Sequence, residues 1–442
     1  MSVALGLLVP LSPARALAAL ALCFLTGSSL AAPPRPPTPL PPPDPEVYEI
    51  IHVSTAQALA NAAWNLRSSQ AIVIAAGEYD LAGVSFPNGV DGRLTIGRFG
   101  ASPIRNVQVR GATGNREDVV LRGAGMLDAR VPYGIQIFTA SEVTLADFSV
   151  GEVYYHAIGI EGSQGAREVL IHNVRAFDAG QQIIKGSGAG ANDVRIEHAL
   201  VEYTVGALAH PQGSPPNSCY TNGIDVTGGH RWQIRDSVIR RIRCQDNTLA
   251  GPAILVWQGA RDTLVERNLI LDSSRGISLG LVASSDHSGG LIRNNLIRWN
   301  PQASYAVDVP IYTTSPNAKI LHNTALTRGR YANAIEVRFA GATGVEVAHN
   351  VSDAAILPRN GARPSLVDNL DGAHPGWFLD ETAGDLRLSA AGLAAVPQRV
   401  RRSDALDDCL AEARPATTEL GACGRDLQRV FGDGFEGVSA LP

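Results

Sequence analysis

Only two lysines occur in this chain, Lys185 and Lys319, against a background of arginines. A lysine whose surroundings lower its pKa can act as a general base, which an arginine does far less readily. Lys185 ends the segment Ile183-Ile-Lys185. That segment has counterparts at Ile135-Gln-Ile-Phe138, Ile158-Gly-Ile-Glu161, Ile224-Asp-Val-Thr227, Ile254-Leu-Val-Trp257, Ile277-Ser-Leu279 and Ile335-Glu-Val-Arg338. Strand alternation sends the repeated apolar residues to one side and their neighbours to the other. The outward set then reads Gln136, Phe138, Glu161, Lys185, Asp225, Thr227, Trp257, Ser278, Glu336 and Arg338. Stacked in register, Glu161, Lys185 and Asp225 become neighbours at about 5 Å per layer.

Such a set suits removal of a proton next to a carboxylate, as in β-elimination from a uronic acid or inversion at its C5. Lys185 would be the base, beside Asp225. Arg240 or Arg243 would neutralise the carboxylate, and Tyr220 or His156 would donate a proton. Glu161, Trp257, Thr227, Glu336 and Arg338 would bind the sugar chain, with Trp257 stacking on a ring. The plainer alternative is that Lys185 only pairs with Glu161 or Asp225 and that Trp257 only fills a surface groove.

Other reactive residue types carry less. Asp286-His287 resembles a catalytic dyad but lies in Ser284-Ser-Asp-His-Ser-Gly-Gly290, where turn chemistry alone accounts for Asp, Ser and Gly. His172, His198, His230, His322 and His349 are scattered and read as corner residues. No His/Cys cluster has zinc spacing, and no glycine-rich phosphate loop or Gly-x-Ser-x-Gly elbow is present. No cofactor is required, with Ca²⁺ admitted as an auxiliary ion. The net charge of −5 gives no electrostatic footprint for nucleic acid.

What must position the outward set is a repeat. Leu145-Ala-Asp-Phe148, Leu170-Ile-His-Asn173, Ile196-Glu-His-Ala199, Ile234-Arg-Asp-Ser237, Val265-Glu-Arg-Asn268, Ile292-Arg-Asn-Asn295, Ile320-Leu-His-Asn323 and Val347-Ala-His-Asn350 align beneath one another. Most of their apolar anchors lie 25 to 28 residues apart, with one gap of 31 and one of 38. That period marks a solenoid, and short Val/Ile/Leu-rich runs make each turn of it from strands. Asn173, Asn268, Asn295, Asn323 and Asn350 are expected to stack as an amide ladder at a corner. The long gap, 196 to 234, inserts a loop containing His210-Pro-Gln-Gly-Ser-Pro-Pro beside the charged column, as a cleft wall would be built.

The ends read differently. Arg15, the apolar run Ala16–Leu25 and small residues Ser29 and Ala31 form a secretory signal over 1–31. A proline-rich linker follows over 32–46. Ser54 or Thr55 caps a helix to about Arg67 that plugs the open end of the stack. The solenoid spans 47–395 and a cap or tail 396–442, in which Ser403 starts a short helix to about Arg414. Phe431-Gly-Asp-Gly-Phe-Glu436 is similar to a short terminal tag of other secreted bacterial proteins, a plain tail being the alternative. Outside the cytoplasm disulfides form. Cys219, Cys244, Cys409 and Cys423 allow three connectivities, of which Cys219–Cys244 with Cys409–Cys423 joins the nearest pairs.

The helix cap, the strand ending in Gly77-Glu78-Tyr79, the coils of roughly 26 residues and the Asn ladder together resemble the right-handed parallel β-helix superfamily, which includes pectate-lyase-like enzymes. The resemblance runs from about Val47 to Ala390. It implies an all-β fold, a right-handed parallel β-helix with an N-terminal helical cap and an irregular C-terminal tail. Catalytic signatures of its enzymes are missing. Asn247-Thr-Leu249 and Gly228-Gly-His-Arg231 fall short of the polygalacturonase motifs, and the Arg-x-Pro-x-x-Arg of pectate lyases is absent. Chondroitinase B and alginate lyase types pair a lysine with an arginine one coil later, where this chain has Asp225. The reading is a secreted monomer, extracellular or periplasmic, without a membrane span in its mature form. It acts on an acidic polysaccharide by β-elimination or C5 epimerisation. A non-catalytic protein that binds glycan or protein is the alternative.

Overall fold

The computed structural model describes residues 34–87, 92–283 and 286–424. The expected signal over 1–31 and the motif at 431–436 lie outside them.

Each coil visits three parallel sheets in turn, of twelve, ten and ten strands among the described residues. One coil illustrates the path: Arg167–His172 in the first sheet, Arg175–Ala179 in the second, Ile184–Ser187 in the third. Period-2 alternation puts Ile158, Ile184, Ile224, Ile254, Ile277, Ile311 and Ile335 in one inward column of the third sheet. All are at most 1% exposed. Fully burying such a side chain is worth about 1.5–3 kcal/mol, so the stack of isoleucines drives the coil to close.

Between the first and second sheets the chain turns on one left-handed residue per coil. Asp147, Asn173, His198, Asp236, Arg267, Asn294, His322 and His349 take φ between 50° and 62°. Asn, Asp and His are the side chains most often found in that conformation, which explains most of this column. The next position forms the ladder. Asn268 Nδ2 donates to Asn295 Oδ1 at 3.0 Å, Asn295 to Asn323 at 2.9 Å, Asn323 to Asn350 at 3.0 Å and Asn350 to Asn369 at 2.9 Å. Asn369 thus joins the ladder, and Asn173 does not. The strand registers pair Ile171, not Leu170, with Leu145 and Ile196, so Asn173 falls one place early, at the left-handed corner. There it donates to Asp147 Oδ1 at 2.8 Å.

Helix α1 spans Ala56–Trp64, its first turn held by Thr55, whose hydroxyl accepts from the Ala58 amide at 3.1 Å. It stops short of Arg67 and buries Leu59, Ala60 and Ala63 in the core continuous with the first coils. The proline-rich segment before it lies on the solenoid. Arg110 donates to the Pro41 carbonyl at 2.6 Å, and His172 Nε2 to the Thr38 carbonyl at 3.0 Å. His198 Nδ1 lies 3.3 Å from the Arg35 carbonyl.

After the last coil, Phe378, Leu386, Val396 and Leu420 pack against Leu269, Leu296 and Leu326 of the second sheet. A short helix α2, Ala390–Ala395, appears where none was expected, capped by Ser389. The helix expected over 403–414 does not form. The Asp408 side chain instead accepts from the backbone amides of Leu410 and Glu412, turning the chain. Buried Arg414 ties down the carbonyls of Asp407, Gly421 and Ala422. Gln398–Val400 pairs antiparallel with Thr417–Glu419. The disulfides are Cys219–Cys244 and Cys409–Cys423, the two expected pairs.

Candidate functional site

The outward residues of the third sheet form two columns. Register aligns Gln136, Gly159, Lys185, Asp225, Leu255, Ser278, Tyr312 and Glu336 in the first. Glu161, Ser187, Thr227 and Trp257 stand in the second, two residues further along their strands. Glu161 is therefore not stacked directly on Lys185; Gly159 is. A Cβ at Gly159 would sit 3.0 Å from Gln136 Cγ and 3.6 Å from Glu161 Oε1. The glycine leaves a notch over which both side chains fold, and Gln136 Nε2 donates to Glu161 Oε1 at 3.1 Å. Burial raises the Glu161 pKa, against the pull of Gln136 and of the charges on Arg93 and Lys185. Arg93, in turn, donates to Gln136 Oε1 and lies over the rings of Tyr133 and Phe138.

Lys185 Nζ donates to Asp225 Oδ2 at 2.6 Å, and Trp257 Nε1 donates to the other oxygen at 3.0 Å. Asp225 is 2% exposed, so its carboxylate is buried and held on both sides. Lys185 keeps partial exposure. Thr227 is engaged with its own scaffold, its hydroxyl donating to the Gly186 carbonyl at 3.2 Å.

His156 opens the strand one layer before Lys185. Its Nδ1 lies 2.8 Å from the Gln182 carbonyl. A carbonyl only accepts, so Nδ1 carries the proton and Nε2 keeps its lone pair. Burial pushes the His156 pKa down to about 4, only partly opposed by that carbonyl, and the nearby Lys185 and His210 push it the same way. Tyr220, exposed at the end of the inserted loop, stands beside Asp225 and Gln182. Burial and the Asp225 charge raise its pKa, so its phenol is protonated at neutral pH. The loop that delivers it is tied by Cys219–Cys244 and anchored by fully buried His210, which packs on Tyr154 with centroids 4.3 Å apart. Tyr133 and Tyr155, 5.4 Å apart, complete an aromatic edge next to His156.

The remaining expected residues are elsewhere. Arg240 ends Val238–Arg240 in the second sheet and donates to Glu202 at 2.7 Å, together with Arg175 and Arg241. Arg243 lies over Tyr305 and donates to the Val205 carbonyl. Both precede the corner that brings the chain back to the third sheet, so neither reaches Lys185's face. Glu336 and Arg338 belong to the strand five layers beyond Lys185, about 24 Å along the stack. Glu336 is fully buried and accepts from Asn333, Arg338 and Arg359. Arg338 also reaches Asp308. That cluster satisfies itself.

Asp286 and His287 do not form a dyad. Asp286 accepts from the amides of Leu281 and Val282, whereas His287 lies between Thr263 and Ser315 hydroxyls. A cavity of about 760 Å³ opens on the second-sheet side, but its arginines are matched by acids, Arg328 and Arg298 both meeting Glu381. No group of three or more His, Cys, Asp or Glu able to hold a metal occurs among the described residues. Asp225 is already engaged by Lys185 and Trp257 and Glu161 stands apart from it, a donor set that does not fit Ca²⁺, which takes six to eight oxygens.

Sequence reasoning missed Arg93, Gln182, Tyr133 and Tyr155. The aromatic run Tyr154-Tyr155-His156, just ahead of an Ile-Gly-Ile strand, was the available cue.

No family model matches the chain, and no curated protein matches it. Among solved structures it is similar to pectate lyase Pel9A, with a TM-score of 0.57 at 11% identity over 86% of this chain and 97% of that one. Looser likenesses include the catalytic domain of a GH87 alpha-1,3-glucanase, TM-score 0.42 at 13% identity, over 76% of this chain and 60% of that one. An alginate lyase from Paenibacillus sp. gives 0.37 at 15% identity, over 73% and 99%. The first of these, with three all-parallel sheets and the amide ladder, fixes the architecture: the chain folds as a right-handed parallel β-helix.

Proposed function

We propose that the protein is carbohydrate-active and takes a proton from C5 of a uronate in an acidic polysaccharide, ending in β-elimination or epimerisation. The observation that carries this reading is Lys185 and Tyr220 beside the buried Asp225 carboxylate, with His156 near Lys185. The roles differ from those the sequence suggested. Lys185 is engaged as an ion pair, so it serves as the cation that meets the uronate carboxylate and the enolate formed from it. His156 Nε2 accepts the C5 proton. In elimination the C4–O4 bond then breaks and Tyr220 gives its proton to the departing oxygen. In epimerisation Tyr220 instead gives its proton to C5 on the face opposite His156. A base of low pKa is available over a wide pH range but weak, so the step leans on Lys185 to stabilise developing charge.

Two disulfides support a site of action outside the cytoplasm, extracellular or periplasmic. No helix among the described residues is long and apolar enough to cross a membrane. The working form is taken as a monomer. Incubation with alginate, pectate and glycosaminoglycans, with and without Ca²⁺, tests the reading through ultraviolet absorbance of unsaturated uronates and NMR of epimer ratios. Absence of both signals from all substrates rejects catalysis.

One observation favours a second reading, a face that binds glycan without turning it over. Lys185 is held by Asp225, whose other oxygen accepts from the Trp257 indole, an arrangement of binding groups with no base of its own. His156→Ala separates the two, because an enzyme loses turnover while binding through Lys185 largely persists.

A further inference from the structure

We infer that this face selects a heteropolymer, in which the uronate alternates with an uncharged or cationic sugar, and that Glu161 is the residue enforcing that choice. The inference rests on the proposal that a uronate carboxylate meets Lys185.

Layers of the third sheet repeat every 4.7–4.9 Å. A pyranose in a 1,4-linked chain advances by a similar distance, so a sugar chain lying along the columns meets about one layer per unit. A homopolymer of uronates presents a carboxylate at every layer. The face is not uniformly cationic to match it. One layer before Lys185 the floor is Gly159, and the Glu161 carboxylate bends over that notch with the Gln136 amide against it. One layer after Lys185 stands Asp225, buried and bonded to Lys185 and Trp257, which offers no cation to a second carboxylate. The next positive charge towards the N-terminus is Arg93, beyond Gln136. The order is cation, amide, carboxylate, cation.

A unit opposite Glu161 is therefore favoured if it carries an amide, hydroxyl or ammonium, and disfavoured if it carries a carboxylate. Glycine at 159 gives that layer no side chain of its own, so the Glu161 carboxylate and the Gln136 amide cover its floor. A like charge one layer away at a partly exposed surface lowers affinity by about tenfold.

The test is binding by the full-length chain at neutral pH, read by titration calorimetry, to size-matched oligosaccharides. One series is a homopolymer of mannuronate or galacturonate; the other alternates glucuronate with N-acetylglucosamine. Native protein should bind the alternating series at least about tenfold more tightly, and Glu161→Gln should shrink that ratio to within about threefold. Thermal melting of Glu161→Gln confirms that it is folded, and Glu161→Ala repeats the comparison without an amide in place. Equal binding of the two series by native protein, an unchanged ratio in both variants, or no binding of either series overturns the inference. Turnover is measured separately on the same oligosaccharides. Preference without product rejects the catalytic reading and leaves this one, while product from a homopolymer bound as tightly as the heteropolymer does the reverse.

Discussion

The Gln182 carbonyl accepts the Nδ1 proton of His156 at 2.8 Å, and the same residue's side chain lies against Tyr220. One glutamine on the coil before the inserted loop thus fixes the tautomer of the base and touches the acid.

Removing either partner should affect chemistry more than binding. His156→Ala and Tyr220→Phe are each expected to lower kcat by about 10²–10⁴, with KM changing far less. Steady-state kinetics on whichever substrate is turned over decides this. Loss confined to KM in both variants would mean that they only bind.

Asp225→Ala should be the most damaging single change on this face. It leaves the Lys185 ammonium and the Trp257 indole, both partly exposed, without their shared acceptor, which costs about 1–3 kcal/mol. Lys185→Met with Asp225→Leu removes both charges and should recover much of that stability without recovering activity. Chemical denaturation of the single and double variants gives the comparison.

The two disulfides should separate by function. Cys219→Ser with Cys244→Ser releases the loop that carries Tyr220, so turnover should collapse with a stability loss of about 2–4 kcal/mol. Cys409→Ser with Cys423→Ser loosens only the C-terminal segment against the second sheet and should leave turnover near native. Parallel melting curves and initial rates read the difference.

Acid should destabilise the fold through buried neutral histidines. Burial lowers His156 from 6.5 to about 4 and His287 to about 3. The unfolded chain, with ordinary histidines, binds more protons below pH 6.5. The stability these residues contribute is therefore complete above about pH 6.5 and is lost as pH falls towards 4 and then 3. Melting temperature should fall over that window, and His287→Gln should flatten the fall. A slope identical to native in that variant would assign the acid sensitivity to other groups.

Much of the scaffold was legible because its repeat uses the same side chain for the same geometric task. Isoleucines at one register and asparagines at the corner show themselves in sequence alone. The slip at Asn173 has a local cause: Leu170 and Ile171 are both apolar, and only pairing with Leu145 and Ile196 decides between them. Part of the site was also legible. Lys185 and Asp225 do meet, since strand register stacks them, and the Trp257 indole reaches Asp225 from the neighbouring column. Arg240 and Arg243 were misplaced because sequence distance does not say on which side of a corner a residue falls. Glu161 needed one further fact, that it stands in the second column and meets Gln136 across the bare Gly159 layer. The C-terminal helix failed for another reason. An Asp408 side chain competing for backbone amides is invisible to helical periodicity.

The proline-rich segment bound across Arg110, His172 and His198 ties together layers that a solenoid otherwise couples only to their neighbours. Arg35 of that segment also meets Glu412 of the C-terminal segment at 3.0 Å. Fraying of the first coils must then break contacts made several layers away. The chain behaves less like a zipper opened from either end than like a bundle bound lengthwise by a cord.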